Sequence, residues 1–312
     1  MCNSDSCMSD IIIPPFLKPG DAIGITCPAG YVSYERIAYA VDVLQRWGFR
    51  VVVGRTVGTG DYYFSGHDGE RLTDLQAMLD DPEIKAILMG RGGYGCSRII
   101  DATDFTAFRQ SPKWICGFSD ITVLHSHIHR NYAIATLHGP MCGAFTAESE
   151  NSYYIQSLQK ALRGETLDYS FPTSAFNRPG TVEGIVVGGN LALLAHLTGS
   201  VSEINTDGKI LFIEDIGEHL YHVDRLLLNL KRSGQLSRLK ALLVGSFTDM
   251  EDTDRPFGQT LEEIVWDKVS DYDYPVAFNF PCGHDTENVT LPLGVKARLE
   301  VNPDNSACSF TW

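Results

Sequence analysis

The stretch Trp114-Ile-Cys-Gly-Phe-Ser-Asp-Ile-Thr-Val-Leu-His-Ser-His-Ile-His-Arg130 reads as a short buried strand, a sharp turn carrying Ser119, and a helix. A strand-to-helix turn holds its residue at the carboxyl edge of a sheet. There the hydroxyl is exposed, and the first free N–H groups of the helix point at whatever it attacks. Gly117 permits the tight turn, and Asp120 suits a helix first turn because its charge opposes the dipole. An ordinary reading fits the same residues, since a serine before a helix commonly caps a backbone donor. The fuller Gly-x-Ser-x-Gly pattern is absent, Ile121 standing at the second glycine position.

Outward from this turn, apolar strands alternate with helical segments from Pro19 to about Leu162. Strands are expected at Ala22–Cys27, Arg50–Val53, Ile84–Met89, Trp114–Phe118 and Ile134–Leu137, and helices at Tyr34–Trp47, Gly69–Leu79, Asp120–Asn131 and Tyr153–Leu162. This alternation predicts an α/β fold, a parallel-sheet α/β sandwich with ligands bound at the carboxyl edge. Arg163–Gly180 carries the glycine and proline punctuation of an interdomain linker. Beyond it, strands are expected at Thr181–Val187, Lys209–Glu214, Ala241–Gly245, Val276–Phe278, Lys296–Val301 and Ala307–Phe310, with helices near Leu191–Leu197, Tyr221–Arg232 and Gln259–Val269. The last two strands form a hairpin turning at Asn302–Asn305. The expected organisation is an N-terminal α/β domain over 14–165 and a mixed C-terminal domain, rich in β-strands, over 180–312.

The 312 residues suffice for two cores, and 44% hydrophobic against 21% charged residues is an ordinary globular balance. A net charge of −14 repels phosphate backbones and anionic lipid, so neither nucleic acid nor membrane is expected as a partner. Met1–Asp10 has no basic residue, and Pro14-Pro15 stops the apolar run after it, so no signal peptide is read. Eight cysteines without a Cys-x-x-Cys pair read as reduced core thiols.

A serine nucleophile needs a base, and the base needs a group to fix its tautomer. Of nine histidines, His125, His127 and His129 ride the helix away from the turn, and no nearby carboxylate completes a metal site with them. His67, His138, His196, His219 and His222 have ordinary surface, strand-end or helix-face readings. His284 lies instead in a glycine-bearing loop, Phe280-Pro-Cys-Gly-His-Asp-Thr-Glu-Asn288, from which a side chain can project into a cleft. Glu214 and Asp215 end an apolar strand, and alternation lets only one of them face the serine. Met89-Gly-Arg-Gly-Gly-Tyr-Gly-Cys-Ser-Arg98 fits neither common phosphate-loop pattern, and exposed N–H groups for an oxyanion are its better use.

Arg-Gly-Gly-Tyr-Gly at 91–95, Gly-Phe-Ser-Asp-Ile-Thr at 117–122, Leu-His-Gly-Pro-Met at 137–141, Gly-Gly-Asn-Leu at 188–191, Ile-Glu-Asp-Ile-Gly-Glu at 213–218, and Gly-His with Leu-Pro-Leu-Gly at 283–294 together resemble the LD-carboxypeptidase family of serine peptidases. The resemblance runs from Pro19 onward. It implies a Ser-His-Glu triad of Ser119, His284 and Glu214, with an oxyanion hole from the backbone N–H groups of Gly93 and Asp120. It also implies a small peptide substrate, the murein tetrapeptide, cleaved at an L,D-amide bond to release D-alanine during cell-wall recycling. No cofactor or metal, a cytoplasmic location and a homodimer complete the expectation. Arg98 is a candidate for holding the terminal carboxylate, Arg91 is equally near, and either also fits a structural ion pair.

Two other readings compete. Within the same family, the resemblance also admits a microcin C immunity-type hydrolase of peptidyl or aminoacyl nucleotide amides, a branch that uses an aromatic platform, notably a Trp, to stack the nucleobase. The tryptophans at 47, 114, 266 and 312 leave the linker and the first half of the C-terminal domain without one, although Phe171 or Phe176 could substitute. A two-domain small-molecule binding protein would have no use for Ser119, His284 and Glu214 at three strand or loop ends.

Overall fold

The computed structural model describes residues 11–312, and expectations placed on residues 1–10, including Cys2 and Cys7, lie outside them. Five strands of the first half, β1 (Ala22–Thr26), β2 (Arg50–Val53), β3 (Ile84–Met89), β4 (Trp114–Gly117) and β5 (Thr136–His138), run parallel in the order β5-β4-β3-β1-β2. Helices α1 (Tyr34–Arg46), α2 (Asp68–Asp80), α3 (Cys96–Ile99), α4 (Thr106–Gln110) and α5 (Thr122–Tyr132) connect them, and α6 (Tyr153–Arg163) follows. Every residue of β1 is buried, as a central parallel strand covered on both faces requires. In α1 the spacing of Ile37, Ala40, Val41 and Leu44 puts one apolar stripe against the sheet. The strand order reverses between β1 and β3, where such sheets open a ligand crevice, and Gly30 N–H donates to the Gly92 carbonyl across it at 3.0 Å.

A second sheet is built from β6 (Asp168–Pro172), β7 (Gly180–Asn190), β8 (Ile210–Ile216), β9 (Ala241–Thr248) and β10 (Val276–Ala277), joined later by β12 (Lys296–Val301) and β13 (Asn305–Thr311). Its order is β10-β9-β8-β7-β12-β13-β6, with β7 to β10 parallel and β12, β13 and β6 antiparallel. Helices α7 (Leu191–Leu197), α8 (Leu220–Arg232) and α9 (Leu261–Val269) complete this half.

The chain is less cleanly divided than its linker-like stretch predicts. Strand β6 lies inside Arg163–Gly180, its alternation of exposed and buried residues hidden among turn-forming neighbours. Strand β11 (Leu291–Leu293), within the expected second domain, returns to the first sheet and pairs antiparallel with β5. The two sheets also share one apolar core, in which Trp114 and Leu137 belong to the same cluster as Phe212, Phe280 and Leu299. A shared core of this kind fixes the halves relative to each other instead of leaving a hinge. No helix among the described residues is long and apolar enough to cross a membrane.

Candidate active site

Ser119 begins a short 3-10 turn between β4 and α5, and its φ of 64° is a left-handed conformation that a side chain adopts only under strain. It does not cap the helix: the residue preceding α5 is Ile121, and no side-chain cap bond forms there. The ordinary explanation for a serine at this point therefore fails. The strained turn is supported from below by His125, whose Nε2 lies 2.8 Å from the Gly117 carbonyl oxygen.

The glycine-rich loop after β3 lies directly against this turn. A β-carbon at Gly92 would stand 3.0 Å from that of Ser119 and 3.3 Å from the Phe118 carbonyl oxygen, so any larger residue would displace the serine turn. Gly93 is the exposed next residue. Asp120 is buried and its Oδ2 accepts the Cys96 N–H at 2.8 Å, binding the far end of the glycine loop to the serine turn. Burial pushes the Asp120 carboxyl up, while the Cys96 N–H and the nearby Arg71 charge pull it down. Arg71 is wholly buried and organises the base of the loop, donating to the carbonyls of Pro28, Gly66 and Gly95 and pairing with Asp68.

Glu214 and His284 come from the second half. Glu214 lies near the end of the buried run of β8 with its side chain inaccessible to solvent, and His284 is 12% exposed. Their atoms Nδ1 of His284 and Oε2 of Glu214 lie 2.6 Å apart. A carboxylate only accepts, so Nδ1–H is the donor of this pair and Nε2 is the ring nitrogen left available to other partners. The His284 loop is held by Asn288, whose Oδ1 accepts Gly283 N–H at 3.1 Å. Among the described residues no hydrogen bond joins the Ser119 hydroxyl to the imidazole. The contact is one residue away, the Phe118 and His284 ring centroids lying 4.8 Å apart. Nucleophile–base bonds are commonly looser before substrate binds.

Asp215 faces elsewhere, as alternation predicts. Its carboxylate accepts Asn190 Nδ2 and the backbone N–H groups of Ala192 and Ile216, tying β8 to the start of α7. Burial pushes it up to about 6 against these donors.

The other candidates disperse. Arg98 is engaged by Asp68, with Nη2 2.8 Å from Oδ2, and rests over the Phe64 ring. Arg91 lines a cleft beside the serine turn with Gly90, Phe118 and Met141. The helix histidines point to separate partners, His127 to Ser202 and His125 to Gly117, while His129 is buried. His138 is fully buried between Phe118 and Phe212, and burial holds its imidazole well below the usual range. Sequence reading overlooked Arg71, Asn288 and the carboxylate role of Asp120. Asp120 and two of the Arg71 bonds reach backbone groups more than twenty residues away, brought near by the tertiary fold, while Asn288 acts within its own loop on Gly283, five residues before it.

Residues 23–139 match the LD-carboxypeptidase N-terminal domain and residues 183–299 the LD-carboxypeptidase C-terminal domain. The chain is 36% identical over 289 residues to the probable murein peptide carboxypeptidase of Bacillus subtilis, covering 92% of this chain and 91% of that protein. It is similar to the crystal structure of muramoyltetrapeptide carboxypeptidase from Oxalobacter formigenes, with a TM-score of 0.85 and 29% identity over 93% of this chain and 99% of that one. It is also similar to the microcin C7 self-immunity protein MccF in complex with aspartyl sulfamoyl adenosine, with a TM-score of 0.86 and 26% identity over 96% and 98% of the two chains. With both domain matches and near-complete coverage of its relatives, the chain belongs to the LD-carboxypeptidase family of serine-type carboxypeptidases.

Proposed function

We propose that this protein cleaves the amide joining an L-configured centre to a terminal D-amino acid in murein tetrapeptide, using Ser119, His284 and Glu214. The observation that carries the reading is the His284–Glu214 pair, 2.6 Å apart, packed against the residue that precedes a serine of φ 64°. Ser119 Oγ attacks the carbonyl carbon as His284 Nε2 takes its proton. The tetrahedral oxyanion is received by the backbone N–H groups of Gly93 and Asp120. Collapse breaks the C–N bond, the imidazolium protonates the leaving amine, and D-alanine departs. Water then gives its proton to His284 and its oxygen to the acyl carbon, and Ser119 recovers its hydrogen. Glu214 holds the ring's orientation and stabilises its transient charge. A cytoplasmic homodimer belongs to the same reading.

The two phenylalanines considered as a platform for the nucleotide-amide alternative are not free to stack on a base. Phe171 is 2% exposed in the core, and Phe176 packs on Phe278 with ring centroids 6.4 Å apart. The deciding experiment incubates purified protein with murein tetrapeptide and, separately, with an aminoacyl sulfamoyl adenosine. Release of D-alanine in the first and no amino acid in the second is expected; the reverse pattern would replace this reading with the alternative.

A further inference from the structure

A cleft of about 560 Å³ opens beside the serine turn, with Gly90, Phe118 and Met141 on its inner side and Tyr31, Arg36 and Arg91 toward its mouth. No acidic residue lines it. That is unexpected in a chain with 39 acidic residues against 25 basic ones. A second polar cleft, lined by Arg130 and Arg238, shows the usual arrangement, because Glu203 and Asp207 line it too. Arg91 leaves β3 at the sheet's carboxyl edge and spends one donor, Nη1, on the Tyr31 carbonyl at 2.9 Å. Arg36 sits in the first turn of α1 and has no ion-pair partner among the described residues. Two guanidinium groups thus share one cleft without a resident counter-charge, next to the residue that precedes the nucleophile.

We propose that Arg36 and Arg91 form the subsite for the substrate's terminal carboxylate. This rests on the carboxypeptidase reading above and replaces Arg98, whose guanidinium is already held by Asp68. The chemistry requires such a group close at hand: in a terminal amino acid the carboxylate carbon is two bonds beyond the scissile nitrogen, within a few ångströms of the attacked carbonyl. Guanidinium forks match carboxylate oxygens in pairs, which an ammonium does not. An internal peptide bond would place a neutral amide there and leave both cations unanswered. The pair therefore restricts cleavage to the chain end.

The test compares murein tetrapeptide with its C-terminal carboxamide, using full-length wild type, Arg36→Gln, Arg91→Gln, the double variant and Arg91→Lys. Wild type is expected to prefer the free acid strongly. Each glutamine variant is expected to lower kcat/KM for the acid by about tenfold or more, through KM, with the acid-to-amide ratio falling toward one in the double variant. Arg91→Lys should restore part of the ratio. Unchanged preference in the folded double variant overturns the subsite while wild-type turnover leaves the carboxypeptidase reading intact. Absence of wild-type turnover of the acid overturns both.

Discussion

A β-carbon at Gly283 would lie 3.0 Å from the β-carbon of Glu214 and 2.3 Å from the Ser246 hydroxyl. The residue immediately before His284 thus approaches the end of β8 as closely as a bare backbone allows, at a φ of 137° that disfavours any side chain. This close approach is what places the imidazole over the buried carboxylate.

Gly283→Ala is therefore expected to reduce kcat/KM by about a hundredfold, since loss of imidazole positioning is felt in the rate, and to destabilise the fold by about 1–3 kcal/mol of backbone strain. Steady-state kinetics beside a urea melt check both. A variant with wild-type turnover would mean that the loop does not need this approach.

On the proposed triad, Ser119→Ala is expected to lose about 10⁴-fold or more in turnover, because members of a triad act as a unit. Ser119→Gly should be equally inactive but more stable than wild type by about 1 kcal/mol, since glycine relieves the left-handed backbone at φ 64°. A denaturant midpoint that falls in the glycine variant would show that the turn is not strained.

Much of this architecture is legible in the residues alone, for a physical reason. Buried parallel strands read as continuous apolar runs and one-faced antiparallel strands as alternation, so Ile84–Met89 on the first pattern and Lys296–Val301 on the second coincide with their observed bounds. The strands that escape are those whose partners come from elsewhere. Leu291-Pro-Leu293 is three residues long, with a proline at its centre, and becomes a strand only by pairing at the sheet edge with β5. Glu214 and Asp215 could be separated in principle by alternation, but only the surroundings reveal which faces the histidine. The arginines behave similarly: Arg98 and Arg91 stand equally near the glycine loop in sequence, and it is Asp68, thirty residues before Arg98, that engages the one and not the other.

Glu214→Gln and Asp215→Asn should separate rate from stability. Glu214→Gln retains shape but withdraws the carboxylate from Nδ1, and a loss of about 10²–10⁴-fold in kcat with a near-normal melt is expected. Asp215→Asn places an amide among three N–H donors, with an expected cost of about 1–3 kcal/mol in stability and a much smaller loss in rate. If the two variants exchanged these phenotypes, Asp215 would be the orienting acid.

The buried imidazoles set the acid limit of the fold. Burial lowers His125 to about 4, and burial with the nearby Lys209 charge lowers His129 to about 4 as well. Unfolded, both rings titrate near 6.5. Between these values the unfolded chain binds more protons than the folded one, so stability falls as pH drops from about 6.5 to about 4, is constant above this window, and loses nothing further from these rings below it. Each ring accounts for a loss on the order of 3 kcal/mol across the window. His138, also lowered by burial, adds in the same direction. His127 is lowered by burial too, whereas Asp215, raised to about 6, and Asp120, also raised by burial, act oppositely, becoming less unfavourable on acidification, so two carboxyls offset part of four imidazoles. Urea midpoints at pH 7.5, 5.5 and 4.5 should fall steadily, and His125→Gln, which preserves a donor toward the Gly117 carbonyl, should flatten that fall. An equally steep decline in the His125→Gln protein would assign the acid sensitivity to other groups.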